Sequence, residues 1–348
     1  MKSTQYLIVG AGIAGLSLAI GLQQRGIPFL ICEAVTTIKG IGAGFGLASN
    51  AMRAFSFLGI ENEVAAIGNP LKALNILDDR GSTIIEGRPD AIVDYDETNY
   101  AIHRADLHEL LLSYIKPEYI ITNARLTQID FEKKIAEFND ALTITFTQLI
   151  GADGIHSVTR SLCFPEVKLR YSGYTCWRAV IETSTNNHFE SFETWGSKGR
   201  FGITPLTNQR VYWYACINAK ENDAFYSQYT MKDLLNHFKL YHSQIPAILK
   251  LTPEDAWMRH DLYDFKPLST YSKDSVILIG DAAHATTPNL GQGACIAVED
   301  VAVLLQLIDE GQHGVALAYQ YNEMRLARCA YIVNTSRTLG SVAQVENR

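Results

Sequence analysis

The hydrophobic positions of this chain come in short runs typical of buried strands, and three of these runs lead into glycine-containing turns. Residues 6–9, 142–150 and 275–279 are rich in Ile, Leu and Val. The turns that follow contain Gly10, Gly151 and Gly280, and a helix is predicted after each of them. The third run is predicted to be a strand that ends in a loop, and the loop leads into a helix. The first N–H groups of that helix can face an anion. The alternative for that stretch is a plain glycine-rich connection.

Helices are predicted where apolar residues recur every three or four positions. After Gly293, one such face consists of Ala294, Val298, Val301, Leu305 and Ile308. Further helices are predicted at residues 13–25, 50–58, 104–115 and 231–241 and around 319–328. Short strands are predicted at residues 29–32 and 120–121, and a hairpin at residues 73–77 and 83–85.

Aromatic residues concentrate in the middle of the chain. Between positions 171 and 229 lie 13 of the 35 aromatic residues. Within residues 210–217, Tyr212, Tyr214 and Cys216 alternate with apolar residues, which predicts a strand with two different faces. Such a sheet could form the wall of an apolar pocket for a planar substrate, or it could be an ordinary aromatic-rich core.

Length and charge narrow the possible classes of protein. With 348 residues, 47% of them hydrophobic, the chain can form two closely associated domains. A net charge of −7 without a run of Lys or Arg argues against nucleic-acid or anionic-membrane partners. The six scattered cysteines lack metal-ligand spacing, so we expect a reduced, cytoplasmic protein without a metal site. We expect neither a signal peptide nor a membrane span, because no apolar run approaches ~20 residues.

The first glycine turn has the spacing of a dinucleotide-binding fingerprint. Gly10, Gly12 and Gly15 form a G-x-G-x-x-G motif between a predicted strand and a predicted helix. Glu33 ends the next strand 18 residues after Gly15, close to the ~20 expected for a carboxylate that binds a ribose. A dinucleotide site is therefore predicted here.

Further candidates lie in the other turns. Residues 40–46 contain four glycines and are predicted to bring backbone close to a ligand rather than to form a strand or helix. Arg104 opens a helix, either as a solvated side chain or as a ligand of a cofactor phosphate or ribityl oxygen. Asp153 and Asp281 each follow a strand. His284 could act as a base, but a structural role is the preferred interpretation.

Together, the fingerprint, the Asp153 loop and the Gly280-Asp281 loop followed by Pro-x-x-Gly-Gln-Gly resemble one family across essentially the whole chain. They are similar to the class A FAD-dependent monooxygenases of the para-hydroxybenzoate hydroxylase type, and most to the subgroup of urate hydroxylase, salicylate hydroxylase and zeaxanthin epoxidase. The resemblance implies an α/β fold: a Rossmann-like FAD-binding domain with an inserted mixed or antiparallel substrate-binding sheet. The FAD-binding domain would comprise residues 1–71, 99–165 and 275–348, and the substrate-binding domain residues 72–98 and 166–274.

The same resemblance implies roles for individual residues. Arg200 and Tyr212, which are 12 residues apart, would face the substrate, and Pro288 would be catalytic and line the flavin ring. Para-hydroxybenzoate hydroxylase itself has arginines in the loop that this chain fills with residues 42–46, a departure that implies a different mode of pyrophosphate binding and flavin movement. FAD would be bound by Gly10, Ala11, Gly12, Ile13, Ala14, Gly15, Glu33, Ala34, Gly46, Arg104, Leu126, Asp153, Asp281, Pro288, Gly291, Gln292, Gly293 and Ala294.

The function implied is a monooxygenase that consumes NADH or NADPH and O2 and transfers one oxygen atom, through a hydroperoxide at flavin carbon C4a, to an aromatic or heterocyclic molecule. Two alternatives stay open: an FAD-dependent reductase or oxidase on the same scaffold, and a non-catalytic flavin-binding sensor. We expect a monomer or homodimer. The sequence does not distinguish urate-like, phenolic and polycyclic or isoprenoid substrates, hydroxylation from epoxidation, or NADH from NADPH.

Overall fold

The computed structural model describes residues 2–38, 40, 42–71, 73–87, 98–184 and 189–345. The strands in this part of the chain are β1 (Lys2–Val9), β2 (Phe29–Cys32), β3 (Gly44–Leu47), β4 (Asn69–Leu71), β5 (Asn75–Leu77), β6 (Thr83–Ile85), β7 (Asn99–His103), β8 (Ile120–Ile121), β9 (Leu126–Asp130), β10 (Ile135–Phe138), β11 (Thr143–Gly151), β12 (Arg170–Glu182), β13 (Phe192–Gly196), β14 (Gly199–Pro205), β15 (Arg210–Asn218), β16 (Trp257–Asp264), β17 (Ser272–Lys273) and β18 (Val276–Leu278).

The helices are α1 (Ile13–Gln24), α2 (Ser49–Phe57), α3 (Glu61–Ala66), α4 (Arg104–Ser113), α5 (Val158–Cys163), α6 (Ala224–Ser227), α7 (Met231–His237), α8 (Gln244–Leu251), α9 (Asp281–His284), α10 (Gly293–Asp309) and α11 (Gly314–Ala343). Short 3-10 turns lie at Pro117–Tyr119, Asn139–Ala141 and Pro288–Leu290. None of the described helices combines the length and the apolar character that crossing a bilayer requires.

The first sheet contains the strands that precede the three predicted turns. Its order is β17, β18, β11, β1, β2, β8, with β9 and β10 added beside β11. β1 runs parallel to β2 and β11, and β18 runs parallel to β11. Leu7 and Ile8 are fully buried but belong to two different apolar clusters, one on each face of the sheet. The strands have continuous apolar runs because both faces of this sheet are covered. The prediction of an α/β fold is confirmed.

The second sheet has the order β16, β12, β15, β14, β13, β5, β6 and is antiparallel except where β13 pairs with β5. Trp213 and Ala215 of β15 pack in a core with residues of α7 and α8. Tyr212, Tyr214 and Cys216 therefore lie on the opposite face, as their alternation predicts. We call this face, which lies opposite α7 and α8, the polar face of the second sheet.

A third, small sheet corrects one prediction. Gly44, Phe45 and Gly46 lie in β3, which pairs with β7, and β7 also pairs with β4. Glycine is unfavourable in most strands, but at Gly44 a Cβ would come within 2.6 Å of the Tyr212 ring. The glycines of this segment thus permit close packing within a strand. Position 41 lies outside the described residues.

Other differences concern element ends. The stretch after β18 contains the short helix α9 and a 3-10 turn before α10, instead of one uninterrupted loop. The helix predicted at residues 231–241 ends at His237. The second sheet is built from strands within the two segments predicted for the substrate-binding domain, and the domain boundaries stay a prediction. Residues 72, 88–97 and 346–348 of the predicted domains lie outside the described residues.

Candidate active site

The turn after β1 is packed so closely that two of its positions accept only glycine. Gly10 has a φ of +107°, and a Cβ there would lie 2.5 Å from the carbonyl oxygen of Ala152. A Cβ at Gly15 would lie 2.0 Å from the carbonyl oxygen of Gly10. A Cβ at Gly12, however, would meet no atom within 4 Å. The turn is closed toward the sheet and open in front of α1, where a phosphate could approach the helix N-terminus.

Glu33 lies directly beside this turn. Its Oε2 accepts a hydrogen bond from the N–H of Ala11 at 2.8 Å, and its Oε1 accepts one from Val35 at 3.0 Å. A cavity of about 300 Å³ opens next to the carboxylate. Six of the residues predicted to bind FAD line this cavity: Gly10, Gly12, Glu33, Ala34, Leu126 and Asp153.

Asp153 is held by its own loop. Its Oδ1 accepts from the Ser157 hydroxyl at 2.5 Å, and its Oδ2 accepts from the N–H and the hydroxyl of Thr159 at 2.9 and 3.0 Å. These bonds fix the start of α5, from which the guanidinium of Arg160 donates to the Ala282 carbonyl oxygen at 3.2 Å. Asp153 lines the cavity, but its carboxylate is already used in orienting the loop, which its sequence position did not indicate.

Asp281 is the first residue of α9, and we call the solvent-accessible space in front of its side chain the recess. Its side chain is accessible to solvent, and no described side chain donates a hydrogen bond to its carboxylate. The surrounding protein nevertheless raises its pKa, mainly by desolvation, while the charges of His284, Arg104 and Arg160 oppose this shift. The carboxylate is accessible, yet much of its surroundings is protein. Such a group is suited to accept hydrogen bonds from ligand hydroxyls.

The three predicted turns meet around this recess. Gly10 packs against Ala152 of the second turn, and a Cβ at Gly280 would lie 3.2 Å from the Cβ of Ala14 in α1. Gly42 packs against Arg104, since a Cβ at Gly42 would lie 2.5 Å from the Cβ of Arg104. Residues that are far apart in sequence therefore form one continuous cleft.

His284 faces the protein interior, away from the recess. Its Nε2 lies 2.6 Å from Oδ2 of Asp300, which also accepts from the N–H of Gly280 at 2.8 Å. Burial lowers the pKa of His284, but Asp300 and Cys329 together outweigh this effect and hold that pKa well above its usual value. Potential metal-ligand atoms of His284, Asp300 and Cys329 lie within 4.8 Å of one another. Arg325 already pairs with the Asp300 carboxylate at 2.7 Å, so a metal ion bound there would have to displace Arg325. The cluster supports the turn that carries Asp281.

The loop before α10 directs a helix N-terminus toward the cleft. Pro288 starts a 3-10 turn, Gly291 adopts a left-handed conformation with φ of +63°, and Gln292 is the N-cap of α10. The predicted helix start at Gly293 is confirmed, and Ala294 is its second residue. Gly46 lies beside this loop, because the Sγ of Cys295 is 3.7 Å from its carbonyl oxygen.

Arg200 lies on the polar face of the second sheet, and all three of its guanidinium nitrogens donate hydrogen bonds. Its Nε donates to Gln344 at 2.7 Å, and its two terminal nitrogens donate to Glu193 at 3.3 Å and to Asn289 at 2.8 Å. The side chain is 2% exposed. Arg200 therefore joins the sheet to the Pro288 loop and to the end of α11.

Tyr212 shares that face with Arg200 without being its neighbour. Tyr212 is opposite Thr204 in the strand pair, whereas Arg200 is opposite Cys216. Burial raises the pKa of Tyr212. Its ring packs against Gly44, so it lies where the second and third sheets meet.

Arg178 is a candidate that sequence reasoning missed. It is half-buried on β12, and its neighbours across the strand pairs are Tyr214 and Met258. Its Nε has no hydrogen-bond partner, and no carboxylate among the described residues pairs with it. It lines a cavity of about 230 Å³ together with Gly42 and Ala43. The signal available in the sequence was the alternation of residues 174–181, which places Arg178 on the same face as Cys176.

Comparisons with known proteins agree with this geometry. Residues 3–336 match the family described as FAD binding domain. The aurachin C monooxygenase/isomerase of Stigmatella aurantiaca is 34% identical over 98% of this chain and 90% of that protein. The 2-heptyl-3-hydroxy-4(1H)-quinolone synthase of Pseudomonas aeruginosa is 31% identical over 98% of this chain and 90% of that protein. The structure of Klebsiella pneumoniae HpxO with FAD and uric acid is similar with a TM-score of 0.89 and 25% identity, over 99% of this chain and 90% of that one.

The chain belongs to the FAD binding domain family, and it is an FAD-dependent monooxygenase. The predictions of the family, the fold, FAD and a nicotinamide electron donor are confirmed. The open space at Gly12 and the accessible Asp281 carboxylate fit the phosphates and hydroxyls of FAD. Which individual residues contact FAD or substrate stays a prediction.

Proposed function

We propose that this monooxygenase binds FAD across the three converging turns and holds its substrate between the Pro288 loop and the polar face of the second sheet. The observation that supports this most strongly is the exposed Asp281 carboxylate, which follows a glycine packed against α1 and α10 and whose pKa is influenced by the charge of Arg104. When bound, FAD supplies electron transfer and oxygen activation.

Each part of the cleft has a separate task in this proposal. Gly12 and the N-terminus of α1 receive the pyrophosphate, and Glu33 accepts hydrogen bonds from the adenosine ribose. Asp281 accepts from ribityl hydroxyls, with Arg104 close enough to influence its pKa. The first amides of α10 would offer partial positive charge to an electron-rich edge of the bound cofactor. Pro288 and its neighbours exclude water from the ring.

The proposed substrate is an aromatic or heterocyclic molecule that carries an acidic or carbonyl oxygen. Arg178 offers donors that no carboxylate of the described chain uses, whereas Arg200 is already bound to Glu193, Gln344 and Asn289. Arg178 is therefore our candidate for the group that binds the substrate oxygen, with Tyr212 packing beside it. Quinolones are the first compounds to test, because one relative is named for 2-heptyl-3-hydroxy-4(1H)-quinolone, and urate is the second.

The remaining features follow the family. NADH or NADPH would bind transiently, because the chain carries one dinucleotide fingerprint set between strand and helix and FAD would use it. O2 is the proposed second substrate. We further propose that the protein is a cytoplasmic monomer or homodimer. We also propose that residues 1–71, 99–165 and 275–348 form the FAD-binding domain and residues 72–98 and 166–274 the substrate-binding domain.

A screen of NADH and NADPH oxidation by the purified holoenzyme tests the function. Alkylquinolones, urate and phenolic acids are added one at a time, with O2 consumption, peroxide and product mass measured together. A true substrate should stimulate NAD(P)H oxidation and gain one oxygen atom for each O2 consumed. Stimulated oxidation that yields only peroxide, across the whole panel, would contradict the proposed substrate class.

A further inference from the structure

We propose that Cys176 and Cys216 form a modification site: a dithiol on the polar face of the second sheet that hydrogen peroxide converts into a reversible cross-strand disulfide. Both thiols are free in the structure. An enzyme that reduces O2 releases peroxide whenever electron transfer is not coupled to substrate oxygenation, so the oxidant can arise close to this site.

The strand register brings the two cysteines directly opposite each other. Cys176 of β12 and Cys216 of β15 are partners in an antiparallel pair. Directly opposed residues in such pairs have Cα atoms about 4.5–5.5 Å apart. Disulfides need Cα atoms about 4.4–6.8 Å apart, so a bond can form with little backbone movement. The other four cysteines lie on β2, α5, α10 and α11, and the strand partners of Cys32 are not cysteines.

The surroundings make one of the two thiols the nucleophile. The pKa of Cys176 is lowered, first by its hydrogen bond with Cys216 and then, against the effect of burial, by the charges of Arg178 and Arg200. The pKa of Cys216 is raised well above its usual value by the same hydrogen bond and by burial. The two shifts have opposite directions, so Cys176 is the thiol that loses its proton more readily and attacks, and Cys216 is the thiol that resolves.

The pair is buried, but an exposed residue lies beside it in the next strand. Cys176 is 2% exposed and Cys216 is 1% exposed. On the other side of Cys176, its direct partner in β16 is His260, whose side chain is exposed. One row across four strands therefore runs from Arg200 through Cys216 and Cys176 to His260. His260 is therefore the exposed residue of this row that lies next to Cys176.

The reaction balances with peroxide as the only oxidant. The Cys176 thiolate attacks one peroxide oxygen, an S–O bond forms, the O–O bond breaks, and the leaving hydroxide takes up a proton to become water. Cys216 then attacks the Cys176 sulfur, the S–S bond forms, and the S–O bond breaks to release a second water. The two thiols lose two electrons in total, and peroxide gains them.

The holoenzyme is treated with hydrogen peroxide, denatured without reductant, alkylated and weighed by mass spectrometry. The number of alkylated cysteines should fall from six to four, and dithiothreitol should restore six. Peptide mapping should find Cys176 joined to Cys216. Six alkylated thiols after treatment, or oxidation that leaves these two cysteines unlinked, would overturn the proposal.

Serine variants separate the two roles. In Cys216→Ser, peroxide should leave a sulfenic acid on Cys176 that dimedone traps, because the resolving thiol is missing. In Cys176→Ser, Cys216 should be labelled less than Cys176 is in Cys216→Ser, because burial still raises the pKa of Cys216 after the hydrogen bond with Cys176 is lost. Cys163→Ser, which removes a buried cysteine from α5, is the matched control and should still lose two alkylatable thiols. Equal dimedone labelling in both single variants would contradict the assignment of Cys176 as the nucleophile.

Discussion

The cofactor cleft and the polar face of the second sheet are built by different means. In the cleft, backbone shape matters most: Gly10 and Gly15 leave no room for a Cβ, and the key acceptors follow directly after strands. On the sheet, side chains from four strands meet, and their neighbours are set by register, as in the row from Arg200 to His260. A local sequence motif can specify the first kind of site, whereas the second kind depends on strand pairing.

The largest expected effect tests the cleft at Asp281. Asp281→Ala should yield a folded but nearly colourless protein, because a hydrogen bond to a charged group contributes about 1.5–3 kcal/mol and the ribityl chain would lose at least one. FAD content is measured by absorbance, and FAD affinity should fall at least about tenfold. Asp255→Ala removes an exposed carboxylate as a control and should retain FAD. Stoichiometric FAD in Asp281→Ala would show that Asp281 is not needed to bind FAD.

Two glycine variants distinguish a role in packing from a role in ligand binding within the turn after β1. Gly15→Ala should lower both Tm and FAD content, because its Cβ would lie 2.0 Å from the Gly10 carbonyl oxygen. Gly12→Ala should keep the Tm of the apoprotein but weaken FAD binding, because its Cβ meets no protein atom within 4 Å and projects into the open space before α1. Thermal melts with and without FAD measure both effects. Normal FAD binding in Gly12→Ala would contradict the proposed position of the pyrophosphate.

Two arginine variants test the sheet. Arg178→Ala should raise the substrate KM about ten- to a hundredfold with FAD content unchanged, because the substrate oxygen loses a hydrogen bond from a charged group. Arg200→Ala should retain FAD and either raise KM or divert oxidation into peroxide. It should also lower the unfolding free energy by about 3 kcal/mol, because Glu193 loses its buried partner. Identical kinetic and thermal profiles for the two variants would contradict their separate roles.

The smallest effect concerns pH and the cluster behind the cleft. The pKa of His284 is raised well above its usual value in the folded protein, so the stabilisation from its proton is complete below about pH 6.5. It is lost as the pH rises toward the folded pKa, because the unfolded chain releases this proton first. The Tm of the protein should therefore decrease between pH 6 and 9 more steeply than the Tm of His284→Gln. Parallel pH profiles would show that His284 is not charged in the folded state.

The sequence contained most of the fold because its signals are local. The apolar runs before Gly10, Gly151 and Gly280 predicted the central strands, and the spacing after Gly293 predicted α10. It did not show β3, because glycine normally disfavours strands and the compensating contact with Tyr212 comes from a distant strand. It did not show the partners of Arg200 or the free donors of Arg178, since these depend on where Gln344, Glu193 and Asn289 lie after folding.

Helix α11 gives this architecture a mechanical property. Along its 30 residues, Arg325 holds Asp300 behind the cleft, the carbonyl oxygen of Ser336 accepts from Asn289 in the Pro288 loop, and Gln344 just past its end holds Arg200. One continuous rod of about 45 Å thus sets the spacing between cleft and sheet. Inserting a single residue between Arg325 and Ser336 would rotate everything beyond it by about 100° and uncouple the two halves, even though every contact residue remained in the chain.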